Sequence, residues 1–145
     1  MRWLWPVLVV LLLVPGVVRA VELEPLVVET KAGPVEFMVE YAGTPEEYAQ
    51  GLMFRESLAP QTGMLFDFHA PRPVAFWMRN TLISLDMIFI DADGVIQFIA
   101  HRTTPLSEKS IGPGVPSLAV LEINGGEAEA LGLAEGDRVR FRTLK

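Results

Sequence analysis

The sequence predicts an all-β fold, a β-sandwich or flattened barrel of short, mostly antiparallel strands with two short helices. Three observations lead there. Apolar residues recur at every second position in several short runs, Gly, Pro, Asn and Asp clusters separate those runs, and only two stretches carry helix-start chemistry.

Leu26 to Thr30 and Val35 to Tyr41 read as two strands joined by a turn at Lys31 to Pro34. In the second, Val35, Phe37, Val39 and Tyr41 share one face and Glu36, Met38 and Glu40 the other, the period of a half-buried strand. Thr44-Pro45-Glu46-Glu47 is a helix start, with Thr44 as cap, Pro45 in the first turn and Glu47 completing a capping box. The helix is expected to run to about Met53. Gly63 to His69 follows as a strand with Met64, Phe66 and Phe68 on one face. Pro71 and Pro73 break the pairing, and Val74 to Arg79 resumes as a strand that places Trp77 and Arg79 side by side.

Asn80-Thr81 turns the chain, and Leu85 to Ile90 is apolar on both faces, as in a central strand. Asp91-Ala92-Asp93-Gly94 is a hairpin turn leading to a return strand over Val95 to His101. Residues 102–116 form a proline-rich segment long enough to close over a pocket. Ser117 to Ile123 is a strand, a second short helix starts at Asn124-Gly125-Gly126-Glu127 and ends at Gly132, and Arg138 to Thr143 is the terminal strand.

The first twenty residues stand apart. Arg2 precedes an apolar run from Trp3 to Val18, and Val18-Arg19-Ala20 closes it, the parts of a secretory signal peptide with cleavage expected after Ala20. The run is shorter than the roughly 20 residues of a membrane-spanning helix, so an uncleaved anchor is the second reading. The expected location is periplasmic or extracellular, with the membrane reached only through residues 1–20. Residues 21–145 form a single domain. Residues 1–20 hold two of the 12 Lys and Arg and none of the 18 Asp and Glu, so the remainder carries about −8. Such a charge argues against nucleic acid as a partner. Cysteine is absent, which removes disulfides and thiol chemistry.

With the chain read through, Gly51-Leu52-Met53-Phe54-Arg55, Gly63-Met64-Leu65-Phe66, Phe76-Trp77-Met78-Arg79-Asn80-Thr81, Leu85-Asp86, Phe89-Ile90-Asp91 and Val120-Leu121-Glu122-Ile123-Asn124-Gly125-Gly126 resemble the prokaryotic domain-of-unknown-function family 192. The resemblance covers nearly all of residues 21–145. It implies a small, often exported, sandwich-like all-β domain and brings no established activity. Ser84 stands where that family commonly has proline.

Arg55, Trp77, Arg79, Asn80, Thr81, Asp86 and Glu122 are polar or amphipathic residues set among large apolar ones, where a group without a partner costs roughly 1 to 3 kcal/mol. They suit a polar cleft floored by Trp77, whose indole face would stack on a sugar ring or guanidinium group, so the expected partner is a small molecule or glycan. The same residues also suit a structural lock, in which Arg55 pairs with Asp86 or Glu122 while Asn80 and Thr81 tie off the turn.

No catalytic residue, metal site or cofactor is assigned. A rival reading makes Asp86 and Glu122 the acid and base of a hydrolase of an extracytoplasmic glycan or polymer. A third makes the protein metal-handling, through Met53, Met64, Met78 and Met87 as soft ligands or through His69 and His101. No Gly-x-Ser-x-Gly elbow or phosphate loop occurs.

Overall fold

A computed structural model describes residues 21–144; the expected signal peptide, residues 1–20, lies outside them. The described chain runs β1 (Glu24–Thr30), β2 (Gly33–Ala42), α1 (Pro45–Gln50), β3 (Thr62–Arg72), β4 (Leu85–Ile90), β5 (Ile96–Ala100), β6 (Ser117–Asn124), α2 (Glu127–Ala130) and β7 (Arg138–Arg140). All seven strands belong to one sheet in the order β5-β4-β6-β3-β2-β1-β7. Every pairing is antiparallel except β2 with β3. That exception follows from α1, which carries the chain back to the end at which β2 began.

The sheet is all-β as expected, and it curls instead of splitting into a sandwich. Its two edges meet where Val95 bridges Arg138, and the Val139 N–H donates to the Gly94 carbonyl at 2.7 Å. Strand alternation therefore sorts side chains into an inner and an outer core. Leu26, Val28, Phe37, Val39, Leu65, Ile88, Ile90, Leu121 and Ile123 fill the inner one. Met64, Phe66, Phe68, Leu85, Met87, Phe89 and Val120 form the outer one, with Leu52 and Met78 laid over them. Each fully buried aliphatic or aromatic side chain contributes about 1.5 to 3 kcal/mol relative to exposure. β4 is buried at all six positions because it feeds both cores.

The outer face is covered by α1 and by the connection between β3 and β4. Thr44 and Glu47 make the capping box that the sequence predicts, although α1 ends at Gln50 rather than at Met53. The expected strand over Val74 to Arg79 is not part of the sheet. Among the described residues its β-type pairing is limited to the bridge between Phe76 and Ile111, with Met78 N–H donating to the Ser107 carbonyl at 2.8 Å. Pro71 and Pro73 supply no N–H at the departure from β3, so the segment leaves the sheet and lies across it. Its alternation survives the loss of the strand, since Met78 is buried and Trp77 is 47% exposed. The proline-rich stretch 102–116 hydrogen-bonds to this segment through Ser107 and Ile111 and supplies none of the lining of the cavity between α1 and residues 75–77.

A buried glutamate at the floor of an aromatic cavity

One row crosses the outer face of the sheet. Glu40 on β2 lies opposite Met64 on β3, Met64 opposite Glu122 on β6, and Glu122 opposite Met87 on β4. Glu122 thus has a thioether side chain on each flank. It is 5% exposed, and among the described residues no hydrogen bond or neighbouring charge offsets its burial, which pushes its carboxyl from 4.5 up to about 8. Its strand lies close to β3 because Gly63, opposite Ile123, has no side chain: a Cβ there would stand 2.2 Å from the Glu122 carbonyl oxygen.

The carboxyl opens onto a cavity of about 210 Å3 between α1 and the segment 75–77. Tyr48, Phe66, Phe76 and Trp77 supply its aromatic walls, and Thr81 and Glu122 its buried polar groups. The walls brace one another, with Phe66 and Phe76 ring centroids 5.2 Å apart and near perpendicular. Tyr48 is held by its hydroxyl, which donates to the Asp67 carbonyl, and Trp77 stands at the solvent side.

Of the seven residues singled out from sequence, the cavity lining takes in Trp77, Thr81 and Glu122 and leaves out Arg55, Arg79, Asn80 and Asp86. Arg55 donates through Nη1 and Nη2 to both oxygens of Glu40, the second at 2.7 Å, and this pairing raises its pKa. The expected lock partner, Asp86 or Glu122, is therefore corrected to Glu40, two strand spacings or roughly 10 Å from Glu122 along the row. The Arg79 guanidinium lies 5.3 Å from the Trp77 ring centroid and 3.6 Å from Glu108, so these neighbours meet on the surface. Asn80 adopts φ 55° and its carbonyl accepts the Phe54 N–H at 2.9 Å, while Thr81 N–H donates to the Met78 carbonyl at 3.1 Å; both secure the turn.

Asp86 has a different task. It lies opposite Ile123 and so points to the inner face, while Glu122, one residue along β6, points outward. The Arg102 N–H donates to its Oδ1 at 2.7 Å, the Ala128 N–H to its Oδ2 at 2.9 Å, and the Gly126 N–H to both at 3.0 Å. Gly126 starts α2 with φ 91° and has no side chain to cap it, so Asp86 caps the helix from β4. The acid and base of the rival hydrolase reading thus face opposite sides of the sheet and cannot attack one bond.

Tyr48, Phe66 and Phe76 line the cavity, and sequence reasoning did not single them out. Phe66 and Phe76 alternate as core residues do, and nothing in the sequence signals that they also line a cavity. Among the described residues, no group of three or more His, Cys, Asp or Glu is placed to hold a metal. Met64 and Met87 flank Glu122, the Met78 sulfur accepts the Thr103 hydroxyl at 3.1 Å, and Met53 lies in the cavity lining.

Fold and site together define a small curled-sheet domain with one acidic group at the base of an aromatic cavity. Residues 27–141 match the family model DUF192, "Uncharacterized ACR", and the chain belongs to this family. It is similar to a solved protein from Sinorhizobium meliloti 1021 described as a candidate transcription regulator. The two are 42% identical with a TM-score of 0.81, covering 84% of this chain and 95% of that one. It is likewise similar to a solved protein of unknown function from Novosphingobium aromaticivorans DSM 12444, at 41% identity and a TM-score of 0.82, covering 87% of this chain and 90% of that one. No curated protein matches.

Proposed function

We propose that this protein is an exported binding domain without catalytic machinery of its own, and that its ligand is a small, compact molecule seated in the cavity above Glu122. The observation that carries the reading is a largely buried carboxyl group with no partner among the described residues, at the floor of a solvent-connected aromatic cavity. A fold gains nothing by burying such a group unpaired, whereas a ligand that reaches it supplies the missing hydrogen bonds. Trp77 forms the outer wall, and a flat or rounded apolar body contacts it while a polar head meets Glu122 and Thr81. The regulator description of the Sinorhizobium protein is not carried over, since the charge of about −8 on residues 21–145 opposes approach to nucleic acid.

The test is a titration with small neutral probes, indole and benzyl alcohol, followed by backbone amide shifts and Trp77 fluorescence. Saturable shifts confined to residues 48–53, 75–77, 81 and 122, and lost when Ala75→Trp fills the mouth, are expected. Shifts scattered over the surface, or unaffected by Ala75→Trp, would remove the basis for a cavity ligand. Export rests on the pattern of residues 2–20. Cell fractionation of the full chain should find it outside the cytoplasm and shortened at Ala20; a full-length cytoplasmic product would overturn that part.

A further inference from the structure

We infer that the cavity takes a small organic ammonium ion, whose charge supplies the counterion that Glu122 lacks. The inference rests on the cavity reading above and names its ligand class. Three observations carry it. The described lining contains one ionisable acid and no Arg, Lys or His, so it offers no positive charge to hold an anionic ligand. Four aromatic residues share the lining with that acid, and aromatic faces beside a carboxylate form the environment in which ammonium groups are held.

The rings already attract cations from outside the cavity: the Arg79 guanidinium lies over Trp77 at 5.3 Å and that of Arg72 over Tyr48 at 5.4 Å. Both guanidinium groups belong to residues outside the lining, so the inner space is left for a cation that is not the protein's own. An inorganic ion fits less well. The lining offers it one carboxylate, the Thr81 hydroxyl and the Gln50 amide, short of the coordination shell that hard cations require.

Binding is coupled to a proton. Burial holds Glu122 protonated at neutral pH, with its carboxyl at about 8, so an entering cation displaces the carboxylic proton to solvent and pairs with the carboxylate left behind. Few other groups interfere with this titration. Met64 and Phe66 of β3 and Met87 of β4 are uncharged neighbours, as are residues 75–77. From the α1 side the titratable group in the lining is Tyr48, whose hydroxyl is occupied by Asp67 and whose pKa is raised above 10. Glu40 on β2 is tied to Arg55.

The experiment compares tetramethylammonium, a cation that cannot titrate, with tert-butyl alcohol, its neutral counterpart of similar shape, by calorimetry and amide shifts on the wild type and on Glu122→Gln. The cation should bind about tenfold or more tightly than the alcohol. Its affinity should rise about tenfold between about pH 7 and about pH 9, as Glu122 ionises, while the alcohol shows no such rise. Glu122→Gln should abolish both the preference and the pH dependence and keep the alcohol. Should that variant not fold, the wild-type comparison and pH profile decide alone. Equal binding of the two probes, or a preference for the alcohol, overturns the ammonium inference and leaves the cavity reading standing. Binding of neither probe, with indole and benzyl alcohol also silent, overturns both.

Discussion

Replacing Glu122 by glutamine tests the electrostatic core of this account, because it keeps the shape and removes the charge. In the folded protein burial alone pushes the carboxyl from 4.5 to about 8; in the unfolded chain it returns to its ordinary value. The folded state therefore binds more protons than the unfolded state between these two values, so stability falls as pH rises through that window and levels off above it. The slope from this single group is at most about 1.4 kcal/mol per pH unit. Carboxylates held low by ion pairs, such as Glu24 with Arg142 and Glu129 with Arg102, act in the opposite sense and at lower pH, and they cancel when the two proteins are compared. Urea unfolding of wild type and Glu122→Gln at a series of pH values should give nearly equal stabilities near pH 5. The variant should become the more stable by about 3 to 4 kcal/mol near pH 8.5. A difference that stays flat across the range would mean that Glu122 titrates alike in both states and is not buried uncompensated.

Other substitutions separate the scaffold from the cavity. Asp86→Asn leaves backbone donors of Arg102, Gly126 and Ala128 competing for one carbonyl oxygen and should cost roughly 2 to 3 kcal/mol by urea unfolding without altering probe binding; a neutral result would deny it the helix-capping role. Gly63→Ala places a Cβ against the β6 backbone and should destabilise by about 2 to 3 kcal/mol or more, where an unhindered exchange is neutral or favourable. Thr44→Ala removes the side-chain half of the capping box and should cost about 1 kcal/mol, seen as faster hydrogen exchange over residues 47–51. Unchanged exchange there would show that packing, not the cap, holds the cavity wall.

Local rules made much of the fold legible. The alternation in Val35 to Tyr41 and in Met64 to Phe68 names the strand faces correctly, and Thr44 with Glu47 and Asp91 with Gly94 mark a helix start and a turn through contacts only a few residues apart. What stayed hidden depends on register between distant strands. Whether Asp86 and Glu122 meet is decided by Asp86 facing Ile123 and not Glu122, a one-residue matter that no spacing within either strand encodes. The partner of Arg55 was hidden for the same reason: Glu40 looks like a solvent-facing residue of an alternating strand until the parallel pairing with β3 brings it beside the outer core. Val74 to Arg79 alternates like a strand because one side packs on the outer core, and period two records that burial whether or not a sheet neighbour is present.

The central claim is that Glu122 sits neutral and unpaired until a cation enters above it. The most direct measurement is carbon-13 NMR of the Glu122 side-chain carboxyl, titrated with pH in the absence and presence of saturating tetramethylammonium. The account predicts a midpoint near 8 in the free protein, falling by about one unit or more when the cation is bound. A midpoint near 4.5 in the free protein, or one that the cation leaves in place, would contradict it.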